Sequence, residues 1–168
     1  YNYGDNLLRV RGNTNITVKG GTGNAVTGIE AAYSVTTQLD GLTIRQEKSS
    51  NPEHRAIRNT GKGSRVFVNM AEDGTLGTNK VEIEGNVLTH GEYAEEGNEP
   101  LTSLALTTAD SKLTGTILAG EKGKANLYLQ NGAAWYNEHY GTTAGLVASN
   151  VTNLTGGTAA ADAGNVYM

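Results

Sequence analysis

The chain contains no cysteine, which excludes a disulfide framework, a thiolate zinc site and a cysteine nucleophile. Proline is also scarce, with 2 residues in 168, and charged residues make up only 18%. No apolar run approaches the roughly 18 residues that a membrane-spanning helix needs. The formal net charge of −4 lacks the basic excess typical of nucleic-acid-binding proteins, so we expect no nucleic-acid partner.

Small and polar residues are abundant instead. Glycine (23), threonine (21) and asparagine (17) together exceed a third of the chain. Glycine does not recur at every third position, which excludes collagen, and the regular return of Val, Ile and Leu argues against disorder. The length predicts one domain, residues 1–168. Because the chain begins at Tyr1 without a signal-peptide pattern, we interpret it as a fragment of a longer, processed protein.

Short runs that alternate apolar and polar residues recur along the chain, whereas the spacing of an amphipathic helix is hard to find. Gly, Asn, Asp or Ser flank each run within a few residues, and these residue types close turns. The pattern predicts an all-β protein, with strands over Asn15–Val18, Leu42–Ile44, Val66–Val68, Val81–Ile83, Leu104–Leu106, Leu127–Leu129 and Val151–Leu154.

The spacing of these runs favours stacked coils over hairpins. Asp-Gly and Asn-Gly pairs occur, but they do not lie between matched strands. Apolar positions recur after 23 to 26 residues along Val18, Ile44 and Val68, and again along Leu106, Leu129 and Leu154. The 38 residues from Val68 to Leu106 fit two shorter coils. The period predicts a right-handed parallel β-helix with three strands per coil and about seven coils. The alternative is a β-sandwich or jelly roll.

Three segments between residues 100 and 157 follow one another in a distinctive order. Ser111–Ile117 has the form Ser-x-Leu-x-Gly-x-Ile, Ala125–Trp135 contains Leu-x-Leu-x-Asn-Gly-x-x-Trp, and Ser149–Gly157 contains Asn-Val-x-Asn-Leu. This succession resembles the passenger domains of Gram-negative autotransporters, in the pertactin and self-associating adhesin group. Upstream, the segments Ala56–Gly61 and Val81–Val87 resemble the generic coils, or rungs, of such passenger domains.

The resemblance implies a secreted segment on the extracellular side of the bacterial outer membrane, tethered by a C-terminal barrel outside this sequence. It implies a virulence-associated adhesin or a self-association stem for aggregation and biofilm formation, with no catalytic residue, cofactor or metal. The expected partner is a host-surface receptor or glycan, or another copy of the chain. The alternative is a carbohydrate-active β-helix enzyme, namely a polysaccharide lyase or hydrolase or a tailspike-like depolymerase.

Several titratable side chains are candidates for catalytic or metal-binding sites. The carboxylates that could serve such an enzyme are Asp40, Glu82, Glu84 and Asp110, with Glu82 and Glu84 expected to point to solvent. His54, His90 and His139 have no metal-ligand spacing, and His54 is predicted to lie in a solvated loop. The Gly-rich segments 20–24 and 120–124 do not open a helix, so we interpret both as corners.

Charge and aromatic residues are unevenly distributed. We predict protruding loops at the Glu-rich segment 92–99 and at a basic segment that could contact an anionic polymer, with Arg45, Lys48, Arg55, Arg58, Lys62 and Arg65. Trp135, Tyr136 and Tyr140 are expected to cover the side of a coil, or to stack on sugar rings. No Lys or Arg follows Lys124. We therefore predict that Asn and Thr ladders on this neutral part mediate weak self-association.

Overall fold

The computed structural model describes residues 6–20, 25–142, 149–157 and 162–168. Within these ranges the protein is all-β, as predicted, with fourteen strands and no helix. The strands are β1 (Asn6–Val18), β2 (Thr27–Ala31), β3 (Val35–Gln46), β4 (Arg55–Asn59), β5 (Arg65–Val68), β6 (Val81–Glu84), β7 (Val87–Thr89), β8 (Leu101–Leu106), β9 (Lys112–Thr114), β10 (Ile117–Ala119), β11 (Lys124–Leu129), β12 (Ala134–Tyr136), β13 (Asn153–Thr155) and β14 (Asn165–Tyr167). Each of the seven predicted runs contains residues of one of these strands.

Every pair of these strands is parallel, and the pairs build three stacks. The first sheet contains the N-terminal halves of β1 and β3, followed by β5, β8, β11 and β13. The second contains the C-terminal halves of β1 and β3, followed by β6, β9, β12 and β14. The third contains β2, β4, β7 and β10. Because β1 and β3 run through both the first and the second sheet, these two form one curled surface.

The core lies between the sheets and consists of columns of apolar side chains in register, which are buried along most of their length but exposed at their C-terminal ends, where Leu154 is 53% and Val166 is 40% exposed. In the second sheet the column is Ile16, Ile44, Ile83, Leu113, Trp135 and Val166. In the first sheet it is Val10, Leu39, Val68, Leu104, Leu127 and Leu154. In the third it is Ile29, Ile57, Val87 and Ile117. Full burial of such a side chain contributes roughly 1.5–3 kcal/mol, so these columns are the main stabilising element.

A tight corner joins the second sheet to the third. Gly85 and Gly115 occupy equivalent places there, with φ of 142° and 144°. A Cβ on Gly115 would lie 2.2 Å from the carbonyl oxygen of Gly85, which no side chain can tolerate. The Gly85 amide donates to the Thr114 carbonyl at 2.9 Å. Glycine at this corner therefore allows the two corner segments to stack closely.

The core also contains a small polar network beside the third sheet. Asn59 Nδ2 donates to the Leu101 carbonyl at 2.9 Å and to Thr102 Oγ1 at 3.2 Å. Thr89 Oγ1 donates to Thr102 Oγ1 at 2.7 Å, and Ser64 Oγ donates to Asn59 Oδ1. All four side chains are buried. Because each has a partner, the network ties the first sheet to the third without leaving an unsatisfied polar atom among them.

The predicted interval between stacked positions was too short. Residues that pair across neighbouring strands are between 22 and 39 positions apart. Val68 pairs directly with Leu104, 36 positions on, so the predicted pair of short coils is wrong. The reason is a loop, residues 69–80, in which an antiparallel bridge joins Met70 to Leu76. Leu106 and Leu129 do pair, as their spacing predicted.

The 69–80 loop lies against the outer face of the first sheet. Phe67, Met70 and Ala105 form a small second apolar cluster there, with Leu101 and Tyr128 at its margin. Asn69 anchors the base of the loop, donating to the Ala105 carbonyl and to Thr107 Oγ1, both at 3.0 Å. No helix in the described ranges could cross a membrane.

Candidate functional site

The outer face of the first sheet bears a ladder of polar side chains. Ser103, Asn126 and Asn153 are in register on β8, β11 and β13. Asn153 Nδ2 donates to Asn126 Oδ1 at 2.9 Å, and Asn126 Nδ2 donates to Ser103 Oγ at 3.3 Å. We call these three residues the amide ladder. The two asparagines are an instance of identical polar groups aligned on neighbouring strands, which lie about 4.8 Å apart.

The amide ladder has hydrogen-bonding capacity beyond these contacts. Each carboxamide carries two N–H donors and an oxygen with two lone pairs. One N–H of each asparagine is used within the ladder, and Asn153 is exposed. Thr152 fixes the adjacent backbone, because its Oγ1 accepts from the Ala125 amide at 2.9 Å. Ser103 is buried, so only Asn126, which is half-buried, and the exposed Asn153 present free donor and acceptor capacity on this face.

Other asparagines serve the fold instead. Asn131 Nδ2 donates to the Thr107 carbonyl at 2.9 Å, and Asn150 Nδ2 donates to the Ala119 carbonyl at 3.0 Å. Asn86 Oδ1 accepts from the amide of Thr116 at 3.0 Å and from its hydroxyl at 2.9 Å. These asparagines therefore bond a neighbouring segment of the stack, and this structural use accounts for part of the asparagine content.

A cluster of charges lies on the outer face of the second sheet. Glu82 has a side chain only 8% exposed, and its carboxylate lies 3.1 Å from Lys80 Nζ, 3.1 Å from Lys112 Nζ and 3.3 Å from Arg45 Nη2. Glu84 contacts Lys112 Nζ at 3.7 Å and Arg45 Nε at 4.0 Å. The expectation that Glu82 points to solvent is therefore wrong, since three cations cover it.

The surroundings of Glu82 keep it ionised. Burial is the largest single influence and raises its pKa, but the hydrogen bonds and charges of Lys80 and Lys112 together lower the pKa below the ordinary value. A general acid needs the opposite shift. Asp40 and Asp110 lie elsewhere: Asp40 Oδ2 accepts from the Gly12 amide at 3.4 Å, and Asp110 Oδ1 accepts from Thr108 Oγ1 at 2.7 Å.

The histidines occupy three separate environments. His54 is only 1% exposed, so its predicted place in a solvated loop is wrong. Its ring lies close to Gly20, where an added Cβ would be 3.6 Å from His54 Cε1. His90 and His139 are half-buried. Among the residues that the structure describes, no group of three His, Asp or Glu side chains is arranged to hold a metal ion.

The basic segment is not a protruding loop. Arg45, Arg58 and Arg65 lie in strands β3, β4 and β5. Arg58 Nη1 lies 2.8 Å from Glu30 Oε1, and Lys62 Nζ lies 2.7 Å from Glu95 Oε2. Burial lowers the pKa of Arg55, which is close to Glu53. Nearby carboxylates therefore offset most of this positive charge. The Glu-rich segment 92–99 does form a loop between β7 and β8, as predicted.

The aromatic residues of 134–141 separate into core and surface. Trp135 is 5% exposed and belongs to the core, where its Nε1 donates to the Gly115 carbonyl at 2.9 Å. Trp135 therefore fills the interior, and the expectation that it covers the side of a coil is wrong. Tyr136 faces outward and stacks on Tyr167, with ring centroids 4.8 Å apart. Lys48 Nζ lies 5.1 Å from the ring centroid of Tyr140, at cation–π distance.

The other predicted positions are two core leucines and the two Gly-rich segments. Leu127 and Leu129 are buried in the core, as expected. Segment 120–124 forms a corner between β10 and β11, where a Cβ on Gly123 would lie 2.1 Å from the Thr89 carbonyl oxygen. Most of segment 20–24 lies outside the described residues.

The members of the amide ladder could have been found from a repeated dipeptide. Ser103-Leu104, Asn126-Leu127 and Asn153-Leu154 each place a polar residue before a leucine that is in register with the others in the first sheet. The prediction of Asn and Thr ladders on the neutral part did not specify these residues. Comparison with models of known families, with curated proteins and with solved structures finds no match to this chain.

Proposed function

We propose that the chain is a right-handed parallel β-helix with three strands per coil, and that it forms part of an adhesive or self-associating autotransporter passenger. Support for this fold comes from the three stacks of parallel strands and from columns of like side chains in register. Six strands succeed one another in the first sheet of the described ranges, against the seven or so coils that the sequence predicted. At about 4.8 Å per strand they span roughly 24 Å.

The amide ladder carries the functional proposal. Two copies that meet through this face could form a few hydrogen bonds through Asn126 and Asn153, each worth roughly 0.5–1.5 kcal/mol net. The surrounding chain favours such contact because no Lys or Arg follows Lys124, so repulsion between copies is weak there. A single contact of this kind is weak. Many copies on one cell surface would add avidity, which is how a non-catalytic segment could make cells adhere.

Sedimentation velocity over a concentration series tests self-association. The wild-type chain should show a reversible increase in mean sedimentation coefficient as concentration rises. The double variant Asn126→Lys/Asn153→Lys places two positive charges on the amide ladder and should abolish that increase. Cells displaying the wild-type chain should clump, and cells displaying this variant should not.

A matched control separates the ladder from general charge effects. Leu88 and Leu118 are in register on the outer face of the third sheet and are half-buried, like Asn126. Leu88→Lys/Leu118→Lys changes the net charge by the same amount and should leave association intact. Strictly monomeric wild-type protein together with no clumping would overturn the proposal. Equal loss of association in both double variants would place the contact outside the ladder.

A further inference from the structure

A cleft at the end of the third sheet lies apart from the amide ladder. Its lining includes Tyr33, Arg58, Thr60, His90, Glu92 and Tyr93, and its volume is about 180 Å³. The pairing register of the third sheet brings these residues together. Ala31, Asn59 and Thr89 are in register at the ends of β2, β4 and β7, so the residues that follow them lie side by side. The volume lies below the roughly 300–1,000 Å³ of pockets for drug-sized ligands, so it suits a single small ring.

Tyr33 stands out because its backbone is strained. Its φ is 55°, and that of Ser34 is 50°, in a region that bulky residues rarely adopt. The next coil holds this turn in place: the Ser34 amide donates to the Lys62 carbonyl at 2.8 Å. A Cβ on Gly61 would lie 1.8 Å from the Tyr33 amide nitrogen, so the two turns are in close contact. Glycine would fit position 33 without strain, yet an aromatic ring 59% exposed is displayed there.

Tyr93 faces the same cleft from the neighbouring loop and is 81% exposed. The base of that loop is fixed, because the Gly91 amide donates to the Glu121 carbonyl at 2.7 Å and Lys122 Nζ donates to the Ala94 carbonyl at 3.0 Å. The charge of Glu92, with which the phenol also hydrogen bonds, raises the pKa of Tyr93. The ring is thus a neutral, exposed apolar surface on an anchored support.

The polar lining suits a ligand with hydroxyl groups and no charge. Arg58 supplies N–H donors, and Glu30 holds it at 2.8 Å, so its charge is already offset. Glu92 adds a carboxylate acceptor, while Thr60 and His90 can both donate and accept. An anionic ligand would meet the negative charge of Glu92, and a purely apolar one would leave these groups desolvated and unpaired.

We infer that this cleft binds one neutral pyranose unit of a glycan, with the rings of Tyr33 and Tyr93 contacting its C–H faces and Arg58, His90 and Glu92 bonding its hydroxyls. Exposed aromatic rings beside a few convergent polar groups provide the two kinds of contact that such a ring requires. The site is on a different face from the amide ladder. It does not depend on self-association, and either proposal can fail without the other.

Saturation-transfer NMR on the intact chain tests the site with methyl glycosides of glucose, galactose, mannose and N-acetylglucosamine. At least one should receive saturation, with a Kd of the order of 1 mM. Tyr93→Ala should weaken that binding at least tenfold. Tyr33→Gly removes the ring and also relieves the backbone strain, so it should weaken binding equally while leaving the melting temperature unchanged or higher.

The matched control is Tyr136→Ala, which removes an exposed tyrosine from the second sheet. It should leave glycoside binding unchanged. No saturation of any glycoside, or saturation that survives both Tyr33→Gly and Tyr93→Ala, would overturn the inference. Tighter binding of methyl glucuronide than of the neutral glycosides would overturn the assignment of a neutral ligand.

Discussion

The part of the chain up to Lys124 and the part after it share one interior but have different exteriors. Every ion pair found among the described residues joins side chains between Glu30 and Lys124. Beyond Lys124 the two asparagines of the amide ladder, Asn126 and Asn153, and the stacked pair Tyr136 and Tyr167 occupy the outer faces instead. The columns of core residues run through both parts without interruption. The interior therefore determines the fold, and the exterior is left to vary in chemistry.

The largest effect should come from breaking the interior, and it should be the same in both parts. Ile83→Asp and Leu127→Asp each bury an unpaired carboxylate at a fully buried position. We expect each to lower the free energy of unfolding by about 4 kcal/mol or to prevent folding. Leu88→Asp, on an outward face, is the control and should stay near wild type. Urea unfolding measures all three, and an unchanged midpoint for Leu127→Asp would contradict the buried column.

A smaller effect should follow from removing the charge of Glu82 in the charged part. Glu82→Gln leaves Arg45, Lys80 and Lys112 without their shared carboxylate. Because these cations are half-exposed, we expect a loss of about 1–2 kcal/mol. Glu84→Gln, whose contacts are longer, should cost less.

The Glu82 contribution should depend on pH in a defined direction. Its pKa is lowered in the folded protein, so ionised Glu82 stabilises the fold above the ordinary glutamate pKa of about 4.3. That stabilisation is lost as pH falls through the lowered folded-state pKa. Wild type and Glu82→Gln should therefore differ in stability at pH 7 and converge at strongly acidic pH. A constant difference down to pH 2 would show that charge is not the cause.

The smallest effect should come from the amide ladder. Asn126→Ala removes two neutral hydrogen bonds at a partly exposed position and should cost about 0.5–1 kcal/mol. Raising the salt to 1 M, where the Debye length is about 3 Å, should leave this loss unchanged but reduce that of Glu82→Gln. Ser103→Ala, which removes only the terminal acceptor, should have a smaller effect. Equal salt dependence in both parts would contradict the comparison.

Much of the fold could be predicted because strand residues alternate strictly between core and surface. Leu104, Leu127 and Ile83 follow this alternation, so their burial could be inferred from neighbouring residues alone. The interval between paired strands could not, because connections of different length, of which the 69–80 loop is one, add residues outside the sheets. Trp135 was misplaced for a related reason: its ring faces the interior through the register of β12, which only the pairing with β9 determines.

The candidate sites were harder to predict than the core. Glu82 is covered by cations from three different coils, and His54 is buried by packing against residues far away in sequence. Tyr33 and Tyr93, which line the cleft, are about 60 positions apart in the sequence. Neither residue lies in a strand or in a repeated motif. Such sites depend on how the coils stack, and local sequence carries no signal for that.

The variable interval between stacked residues, from 22 to 39 positions, also makes the chain tolerant of insertions. The 69–80 loop lengthens one coil while β5 still pairs with β8 and β6 still pairs with β9. Doubling the length of a flexible loop costs only about 0.6 kcal/mol of closure entropy. Foreign peptides spliced at the exposed tip, residues 72–75, should therefore be carried without loss of the sheets, which makes this loop a position for displaying new sequence.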